Sequence, residues 1–321
     1  LRCWRTTGSR GGWRIRCRKC CSWWYADDFD DIIDWGEDNL AFLRRFLPYH
    51  HGLPGARWQR LLINRLDPGL FAACFQTWAA AIHPDALELV AIDGKTSRGS
   101  HDRGKGRAAL HLVSAFATRE RLVIGQEAVA EGGCEQETIP LLLERLAAAG
   151  SLDGALVTID AITCNPRIAA AVVDAGADYL IAVKANQPGL MGEIERLFDD
   201  PQSPPPDRAA DADKGHGRVE ARRVAVSTKV DWLTGERRFP GEYRLPRIAA
   251  IIMVEAETFK KGNAARSRRF YVSSRAMAAN EAAAAIRAHW AIETSLHWVE
   301  RRDVARCCLP ASCCRKRANS E

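Results

Sequence analysis

The sequence predicts an α/β protein: a mixed sheet flanked by helices, with a small helical region before it and a β-rich insertion ahead of the last helix. Three observations carry this. From Leu87 onward, helical spacing of apolar residues gives way to short apolar runs separated by turns. Two of those runs, Leu89-Val90-Ala91-Ile92 and Leu156-Val157-Thr158-Ile159, are nearly unbroken, as expected for strands covered on both faces. Segments with helical spacing lie between the later runs, so strands and helices alternate in a layered arrangement.

In chain order, Phe29 to Leu47 places Ile32, Ile33, Trp35, Leu40, Leu43, Phe46 and Leu47 at spacings suited to short helices, with Pro48 as the stop. A further helical pair is expected over Arg57 to Leu66 and Pro68 to Ile82, its aromatic residues Trp58, Phe71, Phe75 and Trp78 serving as core. Strands are then predicted at Leu87 to Asp93, Leu110 to Ala117 and Leu122 to Val129, followed by a helix Glu137 to Ala149. A strand Ala155 to Asp160, a helix Asn165 to Ala175, a strand Tyr179 to Lys184 and a helix Gly189 to Phe198 complete this part. Asp199 to Gly217, rich in proline, aspartate and glycine, reads as a solvated linker. Arg218 to Val230, Arg247 to Thr258 and Arg268 to Ser273 read as strands of an insertion. The last helix runs from Asn280, a suitable N-cap, through an alanine-rich half to about Val299. The expected division is therefore 1–28, an atypical terminus; 29–86, helical; 87–198, the α/β core; 199–279, linker and insertion; 280–299, a core helix; and 300–321, a second atypical terminus.

Bulk properties narrow the function. Across 321 residues, lysine and arginine exceed aspartate and glutamate by 46 to 40, and the net charge of +6 tilts the chain toward a polyanionic partner. No run approaches the roughly 18 apolar residues of a membrane span, and no segment resembles an export signal. A cytosolic protein without membrane association is expected. Most of the 11 cysteines crowd the two ends. Cys17 and Cys20 form a C-x-x-C, but the paired cysteines near the other end fit no standard zinc module, so structural zinc is not expected.

The termini do not match the middle. Residues 1–25 and 300–321 are rich in arginine and cysteine and lack regular patterning. Cys20-Cys21-Ser22-Trp23-Trp24-Tyr25 can be encoded by a string that, shifted by two bases, reads Leu-Leu-Val-Val, a good buried segment. Out-of-frame translation of both ends is the expectation, with natural basic DNA-binding arms as the alternative.

Three carboxylates stand out. Asp93 and Asp160 each close an apolar strand, where a buried core would not tolerate a charge without a partner. Strand ends in such sheets are where sites are built, so the two aspartates could share a cation. Two magnesium ions roughly 3.5 to 4 Å apart stabilise the attacking and leaving oxygens of a phosphodiester displacement. Glu293 is the best third acid, since at helical spacing it shares a face with Ile286, His289, Trp290, Leu296 and His297. The competing reading makes each acid a strand-end cap or a salt-bridged helix residue. Lys95, Arg98 and Arg103 follow Asp93 on an expected loop, and Lys184, Asn186 and Gln187 follow the strand after Asp160. These groups, with His289, are candidates for holding a DNA backbone. Gly94-Lys95-Thr96 resembles the tail of a P-loop but lacks the upstream glycine, so nucleoside triphosphate binding is rejected.

The ordered motifs Ala91-Ile92-Asp93-Gly94-Lys95-Thr96-Ser97-Arg98, Leu110-His111-Leu112-Val113-Ser114-Ala115-Phe116, Val157-Thr158-Ile159-Asp160-Ala161, Ala177-Asp178-Tyr179-Leu180 and the run from His289 to Trp298 resemble the ISAs1-type transposases, also called H-repeat-associated proteins. The resemblance covers roughly Asp30 to Val299. It implies an RNase H-like core with a DDE triad, Asp93, Asp160 and Glu293, binding Mg2+ or Mn2+ and performing DNA cleavage and strand transfer at element ends. It implies DNA, both element ends and target, as partner, association with the nucleoid when bound, and a homo-oligomer. The leucine and aspartate that the family places soon after Trp298 are missing. The alternatives to an active transposase are an inactive remnant that at most binds DNA, and an RNase H-like nuclease.

Overall fold

The computed structural model describes residues 29–82, 87–97, 100, 101, 104, 106, 108–161, 164–215, 218–234, 242, 244–260 and 263–297. The atypical termini, the terminal cysteines, Arg98, Arg103 and Trp298 lie outside these residues. The chain divides into two compact units, one holding residues up to Asp67 and the other Pro68 to Val304.

In the first unit, helices α1 (Phe29–Asp38), α2 (Leu40–Leu43) and α3 (Ala56–Ile63) follow the predicted pattern. The Arg60 guanidinium of α3 stacks 5.3 Å above the Phe29 ring of α1. A Cβ at Gly36 would lie 2.4 Å from Leu53 Cδ1, so a side chain there would require Leu53 to shift.

The second unit begins with α4 (Pro68–Ile82), which packs on the edge of the sheet described next. The aromatic core expected for the helical region is not found: Trp58, Phe71 and Trp78 are exposed, and Phe75 is half-buried beside Trp78. Helical spacing put them on helices correctly, but spacing cannot say whether a neighbouring layer covers them.

The sheet has nine strands: β1 (Leu89–Ser97), β2 (Leu110–Ala117), β3 (Leu122–Ala128), β4 (Leu156–Ile159), β5 (Asp178–Val183), β6 (Asp207–Gly215), β7 (Arg218–Ser227), β8 (Ala250–Lys260) and β9 (Asn263–Ser273). Their spatial order is β3-β2-β1-β4-β5-β9-β8-β7-β6. Strands β1, β4 and β5 are parallel, β2 and β3 return antiparallel, and β9 to β6 extend the sheet as an antiparallel meander. The predicted linker is thus partly wrong: β6 lies inside it and pairs with β7 along its whole length. Its composition reads as loop, yet an edge strand tolerates such charge, and pairing with a neighbour overrides weak local propensity.

Helices α5 (Glu135–Ala148), α6 (Pro166–Asp174) and α7 (Pro188–Asp199) cover one face of the core. Ile139, Leu142, Leu143 and Leu146 of α5, Ile168 and Val172 of α6, and Ile194 of α7 are fully buried against Val90, Ile92, Val157, Ile159, Tyr179 and Ile181. Side chains of this size each contribute roughly 1.5–3 kcal/mol on burial, which makes this layer the main source of stability. The Asn165 side chain caps α6 by accepting from the Ile168 amide at 2.9 Å. Gly176 ends it in the left-handed region at φ 78°.

Helix α8 (Ala279–His289) covers the opposite face, packing Ala279, Ala282 and Ala285 against Leu89, Leu156, Leu180, Val224 and Ile252. Its N-terminus departs from expectation. The N-cap position is Ala278, and the Ala279 amide is satisfied by Asp207 of β6 at 2.7 Å, while Asn280 accepts from the amide of its neighbour Glu281. The predicted single helix is also broken: after His289 the chain turns at Trp290 and continues as a π-helical segment, Ile292–His297.

The join between core and meander is held at Asp178. Its carboxylate accepts from Ser274 Oγ at 2.8 Å and Arg275 Nε at 2.9 Å, just beyond β9. Burial pushes the Asp178 pKa up, but these bonds outweigh it and hold the group below its ordinary value. A carboxylate depressed in the folded state stabilises above its unfolded pKa of about 3.9, and that contribution is lost as pH falls through the folded value. Asp178→Asn is therefore expected to lower stability at neutral pH and to flatten the loss on acidification below about pH 4. Urea unfolding at a series of pH values measures this, and parallel curves for the two proteins would contradict it.

Candidate active site

Strand register builds the site. The parallel pairing of β1 and β4 ends at Ile92 and Ile159, and Asp93 and Asp160 are the next residues of each chain segment. Side chains alternate along a strand. Leu89 and Ala91 face α8 and the π segment, so Asp93 does too; Leu156 and Thr158 put Asp160 on the same side. β1 does not end at Asp93, as expected, but continues to Ser97 paired with β2, so Lys95 is a strand residue rather than a loop residue. By the same alternation Lys95 shares the face of Asp93. Asp93 Oδ1 accepts from the Gly94 amide at 2.9 Å.

His289 lies on the last turn of α8, over the ends of β1 and β4. Its Nδ1 lies 2.9 Å from Thr158 Oγ1, two residues before Asp160. Burial lowers its pKa, whereas Asp93, Asp160 and Glu293 all act to raise it, and burial prevails. One imidazole is thus within electrostatic reach of all three carboxylates. Glu293 itself is exposed on the π segment, whose wider winding departs from the helical spacing that the sequence suggests. Ile292 next to it is fully buried against Ala91 and Phe116, anchoring the segment over β1 and β2. Among the described residues, no three histidines, cysteines, aspartates or glutamates lie close enough to hold an ion as they stand.

Lys184 Nζ straddles the Asp160 carboxylate, 2.9 Å from Oδ1 and 3.2 Å from Oδ2. Burial raises the Asp160 pKa, but Lys184, the Ala161 amide and the charge of His289 together hold it below its ordinary value. Asn186 and Gln187 direct their side-chain NH2 groups to the carbonyls of Ala161 and Cys164, each at 2.8 Å. They brace the segment after Asp160 against the loop that carries Lys184.

Sequence reasoning missed several neighbours. Tyr271 of β9 pairs with Ala182 of β5 and lies within electrostatic reach of Asp160, Arg269 and Arg222. The Arg269 guanidinium sits 5.5 Å from the Trp290 ring, which is 43% exposed. Alternation within β9 could have put Arg269 and Tyr271 on one face, but nothing local reveals that β9 lies beside β5. On the other face, Glu135 at the start of α5 bonds His111 Nε2 at 2.8 Å, and His111 Nδ1 lies 2.7 Å from Thr96 Oγ1. That chain crosses over Gly94, where a Cβ would lie 2.0 Å from Glu135 Oε1.

A mixed sheet of order β3-β2-β1-β4-β5, helices on both faces, and aspartates just past the paired ends of β1 and β4 define an RNase H-like α/β protein. The family profile described as Transposase DDE domain matches residues 84–312, and one described as DDE_Tnp_1-associated matches residues 20–79. The chain belongs to the DDE transposase family. It is 35% identical over 277 residues to the H repeat-associated putative transposase YhhI of Escherichia coli K12, covering 85% of this chain and 72% of that one. It is 36% identical over 278 residues to the putative transposase YncI of Escherichia coli O157:H7, covering 85% and 70%. A protein in the dhlA 3' region of Xanthobacter autotrophicus is 35% identical over 252 residues, covering 77% and 81%. Among the described residues no helix is long and apolar enough to cross a membrane.

Proposed function

We propose that this chain is an insertion-sequence transposase of the ISAs1 type, which cleaves DNA at element ends and joins it to a target using Asp93, Asp160 and Glu293 with Mg2+ or Mn2+. The supporting observation is that Asp93 and Asp160 stand just past the paired ends of neighbouring strands, on the face that α8 and the segment carrying Glu293 cover. The donor set consists of carboxylate oxygens, which suits a hard divalent cation. A cation already has a seat there, since the Lys184 ammonium lies between both oxygens of Asp160. Asp93 and Asp160 would hold the ion, with Glu293 as the third acid. Such ions supply the charge that activates water or a 3′-hydroxyl and stabilises the departing oxygen.

The chain's own residues do the positioning. Thr158 and His289 fix the last turn of α8 over the ends of β1 and β4. Lys95, Lys184 and Arg269 offer positive charge to phosphates, and the face of Trp290 offers a surface on which a base could stack. Arg98 and His289 remain proposed DNA contacts, and Asn186 and Gln187 could reach DNA only through the amide oxygens that their bracing leaves over. The protein acts in the cytoplasm on nucleoid DNA, as a homo-oligomer that brings two element ends together.

The test supplies the full chain with its own element ends, a target duplex and Mg2+, and resolves the products on a gel. Cut and joined strands are expected. Cleavage without joining would reduce the reading to a nuclease, and binding without cleavage would reduce it to an inactive remnant.

A further inference from the structure

We infer that Lys184 and a divalent cation compete for the Asp160 carboxylate, so that metal entry releases Lys184 to a phosphate and thereby couples metal binding to DNA binding. The inference rests on the proposed metal site and adds a coupling device to it.

The bidentate seat is the first observation. With Nζ at 2.9 and 3.2 Å from the two oxygens, the ammonium takes the position that a cation chelated by both oxygens would need. Two positive charges cannot share it. Exposure is the second observation, with side chains 58% exposed at Lys184 and 41% at Asp160. Such a pair is held weakly, because water screens it and the lysine stem gains freedom on leaving. The pair of Asp178, only 19% exposed, with Arg275 is screened less. The bracing is the third. Asn186 and Gln187 lock the loop next to Lys184 onto the segment after Asp160, so the root of the lysine stays in place while its head swings. Once displaced, Lys184 becomes a free cation within a side chain's length of the ion, where a phosphate bound to that ion has to lie.

The experiment measures Mn2+ binding to the full chain without DNA, by the loss of the free Mn2+ electron paramagnetic resonance signal, in the wild type, Lys184→Ala, Lys184→Arg, Lys95→Ala and Asp160→Asn. Removing the competitor is expected to tighten Mn2+ binding about two- to fivefold in Lys184→Ala, with Lys184→Arg staying near the wild type. Lys95→Ala removes the same charge from the same face without vacating the seat, and its effect should be smaller. In parallel, Mn2+ should raise the affinity for a short duplex more in the wild type than in Lys184→Ala. Mn2+ binding no tighter in Lys184→Ala than in the wild type, or equally tightened in Lys95→Ala, overturns the competition. Wild-type binding that Asp160→Asn leaves unchanged would instead remove the metal site, and the competition with it.

Discussion

Asp160→Asn is expected to reduce strand cleavage by about a thousandfold or more while the protein still folds and still binds DNA. The substitution keeps the shape of the side chain and removes its charge. In the proposed site, loss of a metal ligand would forfeit several kcal/mol of transition-state stabilisation, and each 1.4 kcal/mol is about tenfold in rate. The cost to folding is small, because the Lys184 pair lost with the charge is exposed and such pairs are worth at most about 1 kcal/mol. DNA affinity should hold or rise slightly, since a negative charge near the phosphate path disappears and Lys184 is freed. Gel-based cleavage assays, fluorescence anisotropy with duplex DNA and thermal melting separate the three effects. Cleavage retained within tenfold of the wild type would remove Asp160 from the catalytic set.

Gly94→Ala is expected to displace Glu135 and so to disturb the strand that carries Asp93. Gly94 follows Asp93, and its Cα faces α5, where an added Cβ would lie 2.0 Å from Glu135 Oε1 and 2.3 Å from Cδ. The glutamate must swing away, and doing so breaks its bond to His111, which in turn lies against Thr96 of the same strand. Because the clash is with a flexible, partly exposed side chain, the cost is about that of the lost bond, roughly 0.5–1.5 kcal/mol. Because β1 carries Asp93, the displacement should also lower cleavage. Gly94→Ala/Glu135→Ala restores the space, so the double variant should be more stable than Gly94→Ala alone. The denaturant midpoints of the four members of that cycle provide the measurement. A Gly94→Ala protein with a wild-type midpoint would show that β1 is not pinned in this way.

Much of the core was legible before any coordinates. From β2 through α7 the predicted and observed elements agree closely, because strands buried on both faces read as unbroken apolar runs and the helices between them are amphipathic. Asp93 and Asp160 were legible for the same reason: a carboxylate at the end of such a run conflicts with burial and demands a partner. Glu293 is legible as a candidate but not as an exposed residue, since the π-helical segment that carries it departs from the 3.6-residue period. β6 was hidden because an edge strand need not be apolar. The aromatic residues Trp58, Phe71 and Trp78 were read as core because their type favours burial, which depends on a covering layer that no local pattern encodes.

The sequence by itself determined the strands and helices from β2 through α7, and that Asp93 and Asp160 each follow an unbroken apolar run. Both follow from side-chain pattern, a property of residues close together along the chain. Only the tertiary structure decided that β9 lies against β5 and brings Tyr271 beside Ala182, that His289 meets Thr158, and that Lys184 straddles Asp160. Those arrangements join residues far apart in sequence, and their free energy depends on packing and charge among partners that no local window contains.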